Sequence, residues 1–185
     1  MLSFNDLPEG VCYDTAAAQR AGCLYAYLSK PLISSLSTFL DGKNVLEVFA
    51  GRGHLSALLR EQGIPVIATS LRSSHDGSDI LGYAIKVEEI GVIEAVSKYG
   101  TWMDILLVAW PTTTAEMHQA LTFLRHDALI IFIGEVTDYS TSPPFLGGCA
   151  TDAFFNAVEE VSEMTLKLRY PTPRLDKIKV FRRRK

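Results

Sequence analysis

Apolar residues fall into two spacings that alternate along the chain. Short runs at 44–49, 65–70, 104–109 and 128–133 have the length of buried strands. Between them, apolar positions recur at helical spacing. Leu55, Leu58 and Leu59 begin one helix that Gly63 stops, and 89–99 and 112–124 carry two more. A short third strand is expected at 84–87. Thr151 or Asp152 caps a helix predicted to run to Val161. Two alternating segments, 164–170 and 177–182, joined through Pro171 and Pro173, close the chain as an antiparallel pair. Upstream, Asp14 caps a helix predicted from Thr15 to about Ser29. Pro31 then breaks and restarts the pattern through Leu32, Leu36, Phe39 and Leu40.

Strands alternating with helices predict a mostly parallel sheet with right-handed crossovers, an α/β fold. The length, 185 residues, fits one domain with a substantial core. Residues 1–43 read as a helical extension packed on a core domain at 44–185. Two loops interrupt the pattern, a polar one at 71–79 and a Gly/Pro/Ser-rich one at 136–148.

Composition narrows the classes. No apolar run reaches the roughly 20 residues of a bilayer span, and the N-terminal stretch has no basic segment followed by an apolar one. Cys12, Cys23 and Cys149 are odd in number and far apart, which points to reduced thiols and a cytoplasmic protein. The four histidines show no metal-ligand spacing, so no metal site is expected. The net charge of −3 hides an asymmetry. Residues 1–166 hold 9 Lys/Arg against 20 Asp/Glu, whereas 167–185 hold 9 against one. A basic end on an acidic body suits nucleic acid or an acidic partner, or simply the solvated edge of a sheet.

The densest chemistry lies at 44–55, Asn-Val-Leu-Glu-Val-Phe-Ala-Gly-Arg-Gly-His-Leu. A strand, a glycine turn and a helix start make a place where backbone presses on a ligand. Glu47 repels a pyrophosphate and attracts a cationic ligand that carries an amino acid. This disfavours a nicotinamide-dependent oxidoreductase, and counting from Gly51 puts Ser56 at the third small position of the dinucleotide fingerprint, which fills it only approximately. Strand ends gather ligand-binding residues along one edge of such a sheet. They nominate Glu47 to Gly53, Thr69 and Ser70, Val87 to Glu89, Ala109 to Pro111, and Gly134 with Glu135.

Over roughly 44–185 the chain resembles small class I S-adenosylmethionine (SAM) dependent methyltransferases. The segments that carry the likeness are Leu46 to Gly53, Ala109-Trp110-Pro111 and Ile133-Gly134-Glu135. A little-characterised subgroup shares a Trp-Pro fourth motif, a Gly-Gly-Cys segment (Gly147-Gly148-Cys149) and a basic last strand.

The resemblance implies a Rossmann-like seven-stranded sheet with a terminal antiparallel hairpin, and SAM as cofactor. Phe49 stands where the family has its first glycine, and Ala50, Gly51 and Gly53 complete the turn. Glu47 would hold the SAM amino group, while Gly51 and Gly53 would admit its methionine part. Ser70 occupies the place of the acid that grips the ribose, so Asp76 or Asp79 would have to reach back. Glu88 or Glu89 would meet the adenine edge. Trp110 and Pro111 replace the family's Asn/Asp-Pro-Pro-aromatic motif. Trp110 either stacks on a planar or cationic acceptor or is a large core aromatic. His54, Glu135 and Cys149 are candidate acid, base or nucleophilic groups. The resulting reading is a methyltransferase of unknown acceptor, small molecule or protein. Its alternative is a non-catalytic interaction protein whose site is filled by side chains such as Phe49.

Overall fold

The computed structural model describes residues 2–184. Its strands are β1 (Val45–Val48), β2 (Val66–Ala68), β3 (Ile105–Ala109), β4 (Leu129–Gly134), β5 (Val158–Glu160) and β6 (Lys177–Arg183). They form one mixed sheet in the order β2-β1-β3-β4-β6-β5. β1 to β4 run parallel, and β6 is antiparallel to both of its neighbours. The α-helices are α1 (Tyr13–Ala21), α2 (Lys30–Leu40), α3 (His54–Glu61), α4 (Ser78–Leu81), α5 (Val92–Tyr99), α6 (Glu116–Ala120), α7 (Asp152–Ala157) and α8 (Ser162–Thr165).

Strand alternation sorts the core into two layers. Val45, Ile105, Leu107, Ile131 and Ile133 pack with α2 and α3, whereas Leu46, Val48, Leu106, Val108 and Phe132 pack with α5, α6 and α7. Helix α2 presents Leu32, Ile33, Leu36 and Leu40 to the first layer. The N-terminal segment adds Leu7 and Leu28 to that layer, and the Phe4 amide donates to Glu61 on α3. Four phenylalanine rings, Phe132, Phe154, Phe155 and Phe181, lie within 5.2–6.3 Å of one another and hold α7 and β6 on the opposite layer.

The sheet has six strands where seven were expected. The third strand, expected at 84–87, is reduced to one parallel bridge between Thr69 and Glu88. Ile85 and Val87 instead fill the space beside Gly53. The closing hairpin is also different. Met164 lies in α8, and Met164 with Leu168 packs on the α2/α3 layer at helical spacing. The partner of β6 is β5, at residues assigned to the end of a helix, and the connection 161–176 separates the two. That helix stops at Ala157 because Val158 turns extended (φ −121°, ψ 161°) and pairs with Arg183.

The first predicted helix is shorter too. Gly22 ends α1, Cys23 turns left-handed (φ 61°), and 23–28 is released for another use. Pro31 opens α2 rather than interrupting a longer helix. No helix of the described residues is long and apolar enough to cross a membrane.

Candidate functional site

From β1 the chain passes to β2 on one side of the sheet and later to β3 on the other. The loops leaving the carboxyl ends of β1 and β3 therefore diverge and open a crevice. A cavity of about 630 Å³ lies there. Its walls come from the loop after β1 (49–52), the loop after β2 (70–76), the approach to α5 (90–92), the loop after β3 (109–113) and the released segment 23–28.

The backbone around the cavity is strained. Cys23, Phe49 and Trp110 all line it, and all three have left-handed backbone (φ 61°, 55° and 55°). Such residues cost about 1–2 kcal/mol each and persist where the surroundings impose them, which is typical of functional sites. Strand register puts the ends of β1 and β3 side by side, with Val48 opposite Val108 and Ala109 opposite Ile133. Phe49 does not plug the crevice, because its side chain also packs into the α5/α6 core layer.

Glu47 has the same parity as Val45, so it points toward α3 at the cavity floor. It is 1% exposed and accepts a hydrogen bond from the Ser56 hydroxyl on α3. Burial pushes its carboxyl up to about 7, against the opposing pull of Ser56 and of the Arg60 charge. His54, in the first turn of α3, also lines the cavity, and neither buried ring nitrogen has a hydrogen-bond partner. Burial and then the Arg52 charge hold its pKa below the ordinary histidine value, which favours the neutral ring.

Ser70 lines the cavity at the end of β2, but its hydroxyl reaches only the Leu71 carbonyl (3.4 Å). The neighbouring acid is Asp76. A Cβ on Gly51 would sit 3.3 Å from Asp76 Oδ2, so the bare glycine lets this carboxylate lie against the turn. Asp76 Oδ1 accepts the Ser78 amide (2.9 Å), which fixes the side chain at the cavity wall. Asp79 is exposed and outside the wall.

On the β3 side, the Trp110 amide donates to the Ile133 carbonyl (2.7 Å) and its indole N–H to buried Asp176 (3.2 Å). Asp176 also accepts the Thr172 hydroxyl (3.0 Å) and the Tyr170 hydroxyl. Trp110 is thus fixed by main-chain and side-chain bonds, with Pro111 beside it on the wall. Ala109 offers no side-chain acceptor.

Of the nominated residues, Glu47, Phe49, Ala50, Gly51, Ser70, Trp110 and Pro111 meet in the cavity. Others do not line it, among them Gly53, Glu88 and Glu135. Gly53 faces Ile85 and Val87, whose carbons would lie 2.8 and 2.9 Å from an added Cβ, so its glycine serves packing. The Glu88 carboxylate is held by Lys98 and by the Tyr99 hydroxyl (2.6 Å). The Glu135 carboxylate turns to the Gly148 amide (3.0 Å). Ile90 and Val92 occupy the wall where Glu88 was expected. Tyr25, which no motif pointed to, supplies the face opposite Trp110, with ring centroids 6.0 Å apart. Its only sequence signal is Gly22, which ends the helix before it. Among the described residues, no group of His, Cys, Asp and Glu is arranged to hold a metal.

No protein-family model matches the chain, and no curated protein sequence does. Solved structures do resemble it. A mutant of MtNAS in complex with S-adenosylmethionine aligns with a TM-score of 0.56 at 12% identity, over 93% of this chain and 67% of that one. The S-adenosylmethionine-dependent methyltransferase SibL in its apo form aligns with a TM-score of 0.50 at 12% identity, over 92% and 57%. MtNAS in complex with MTA and tNA gives 0.50 at 12%, over 82% and 57%. The chain spans between just over half and two thirds of these proteins. The likeness shows the fold, which is class I methyltransferase-like.

Proposed function

We propose that the protein is a SAM-dependent methyltransferase that holds SAM along the β1–β2 side of the cavity and the methyl acceptor along β3. Glu47 carries this reading. A carboxylate buried beside a left-handed turn, bonded to a hydroxyl and to no lysine or arginine, is a costly group unless a cation joins it. The SAM ammonium is such a cation. The remaining walls fit the rest of the molecule. Asp76 offers carboxylate oxygens for the ribose hydroxyls in place of Ser70, and Ile90 and Val92 give an apolar slot for the base.

When bound, SAM supplies an electrophilic methyl group on a sulfonium. The chain's own task is then to position the acceptor and exclude water, work that orientation can largely accomplish. Trp110 and Pro111 form the rigid wall for that purpose. Because the Ala109 side chain carries no amide group, orientation by stacking replaces the paired hydrogen bonds of an Asn side chain.

Calorimetry with S-adenosylhomocysteine (SAH), followed by methyl-transfer assays on a small-molecule panel, tests the reading. Absence of heat at millimolar SAH removes it. SAH binding without transfer to any acceptor supports instead an interaction protein that retains the cofactor cradle.

A further inference from the structure

We propose that the methyl acceptor is a small planar anion, an aromatic or conjugated carboxylate, and that Arg20 determines this specificity. The inference rests on the methyltransferase reading and adds the substrate class. Arg20 lies in the last turn of α1 and places its guanidinium carbon 4.3 Å from the Tyr25 ring centroid and 5.1 Å from that of Trp110. Both rings line the β3 side of the cavity, and Arg20, itself exposed, lies at the edge of that wall and outside the lining. A guanidinium held against aromatic faces keeps its N–H groups directed outward in its own plane, ready for bidentate bonds to a carboxylate.

No acid among the described residues takes that role. Among the described residues Arg20 forms no ion pair. Asp176, behind Trp110, is already engaged by Trp110, Thr172 and Tyr170. Glu47 and Asp76 belong to the cofactor side, and Glu116 accepts the Thr114 hydroxyl at the exposed rim (3.2 Å). The two rings, tilted 43° to each other, thus form an aromatic wall beside a guanidinium with no acidic partner, whereas Arg52 and Arg72, which line the cavity, donate to the Gly82 carbonyl (3.1 Å) and to Glu89 (3.0 Å).

The size limit comes from the roof. The Tyr25 hydroxyl donates to the His75 carbonyl (2.7 Å), and Cys23 Sγ would lie 3.6 Å from a Cβ on Gly77. Segments 23–28 and 71–77 therefore meet over the cavity, which leaves a chamber for a small molecule. The basic C-terminal strand, in contrast, is largely neutralised internally. Lys179 pairs with Glu160, Arg182 with Glu159, and Lys177 lies 3.9 Å from Asp138. Its charge does not extend toward the cavity as a track for nucleic acid.

The test titrates benzoate, benzamide and benzylamine into the protein with and without saturating SAH, followed by protein-observed NMR. Benzoate should bind about tenfold more tightly than benzamide or benzylamine, the scale of one charge-assisted hydrogen bond. Arg20→Gln, a change at an exposed position, should abolish that preference and leave SAH affinity unchanged. Equal binding of benzoate and benzamide, a preference for benzylamine, a benzoate preference that survives Arg20→Gln, or no binding of any probe overturns the proposal. Failure of SAH to bind is a separate result against the cofactor reading, because the titration without SAH reports on Arg20 directly.

Discussion

Replacing Glu47 by Gln tests the floor of the site without touching its shape. Gln is close to isosteric with the protonated acid and can keep a hydrogen bond to Ser56. In the folded protein the Glu47 carboxyl titrates at about 7, raised by burial from an ordinary 4.5. Between these values the folded state holds a proton that the unfolded chain has released, so stability falls as pH rises through the window. Integrated over the shift at 1.36 kcal/mol per unit, the loss is about 3 kcal/mol, complete above pH 7 and absent below 4.5. The variant has no such slope. Urea unfolding at pH 5 to 8 should therefore show Glu47→Gln gaining on the wild type with rising pH and exceeding it by about 3 kcal/mol at pH 8. Ligand binding should run the other way. A bound ammonium favours ionised Glu47, so SAH affinity should rise about tenfold per pH unit below 7 and level off above it. Parallel stability curves for the two proteins would refute the burial argument, and pH-independent SAH affinity would remove Glu47 from the ligand.

Three further outcomes follow from the same geometry. Gly53→Ala forces a side chain at φ +78° into Ile85 and Val87, and should cost at least about 2 kcal/mol in urea unfolding; a loss below about 0.5 kcal/mol contradicts the packing role. Cys149 is 1% exposed, and burial pushes its thiol up to about 12, so a native thiol titration at pH 8 should count Cys12 and Cys23 and reach Cys149 only in denaturant. Equal reactivity of all three thiols would show that the loop before α7 opens readily. Tyr25→Phe removes the bond to the His75 carbonyl across the roof. It should speed SAH dissociation in stopped-flow by about tenfold with a stability change under about 1.5 kcal/mol, and an unchanged rate means the roof does not gate exchange.

What was legible in the sequence is what short-range physics controls. The spacing from β1 through the turn to α3 sets the parity of Glu47, the left-handed positions and the helix start, all within 44–55. Strand ends likewise nominate Trp110 and Pro111, because any residue leaving β3 in a parallel sheet arrives at the same edge. The misread elements are those where local pattern is ambiguous. Met164 and Leu168 suit a strand face with intervening residues and a helix face without them, and the structure uses the helical option. The segment 84–87 has strand composition, yet its side chains are drawn to Gly53, and one bridge remains of the strand.

The largest difference concerns where the polar groups of the site come from. Family-style reasoning places the ribose acid at the end of β2, but what a ribose requires is a carboxylate at a position in space, and any loop that reaches it will do. Here the loop after β2 continues past Ser70 and folds back on the glycine turn. It can do so because Gly51 has no side chain to meet Asp76. The glycine thus acts on the protein's own carboxylate, where the motif suggested it would act on the ligand. The β3 side has the same character. Gly22 and left-handed Cys23 end a helix early, and that release carries Tyr25 to Trp110 across a sequence separation no motif spans. Arg20 then stands over both rings. A motif read at fixed positions reports an acid missing from β2 and an amide missing from β3. The folded chain lines the crevice with a carboxylate, Asp76, and pairs the motif's Trp110 with Tyr25; Asp76 and Tyr25 are both drawn from segments the motif does not cover.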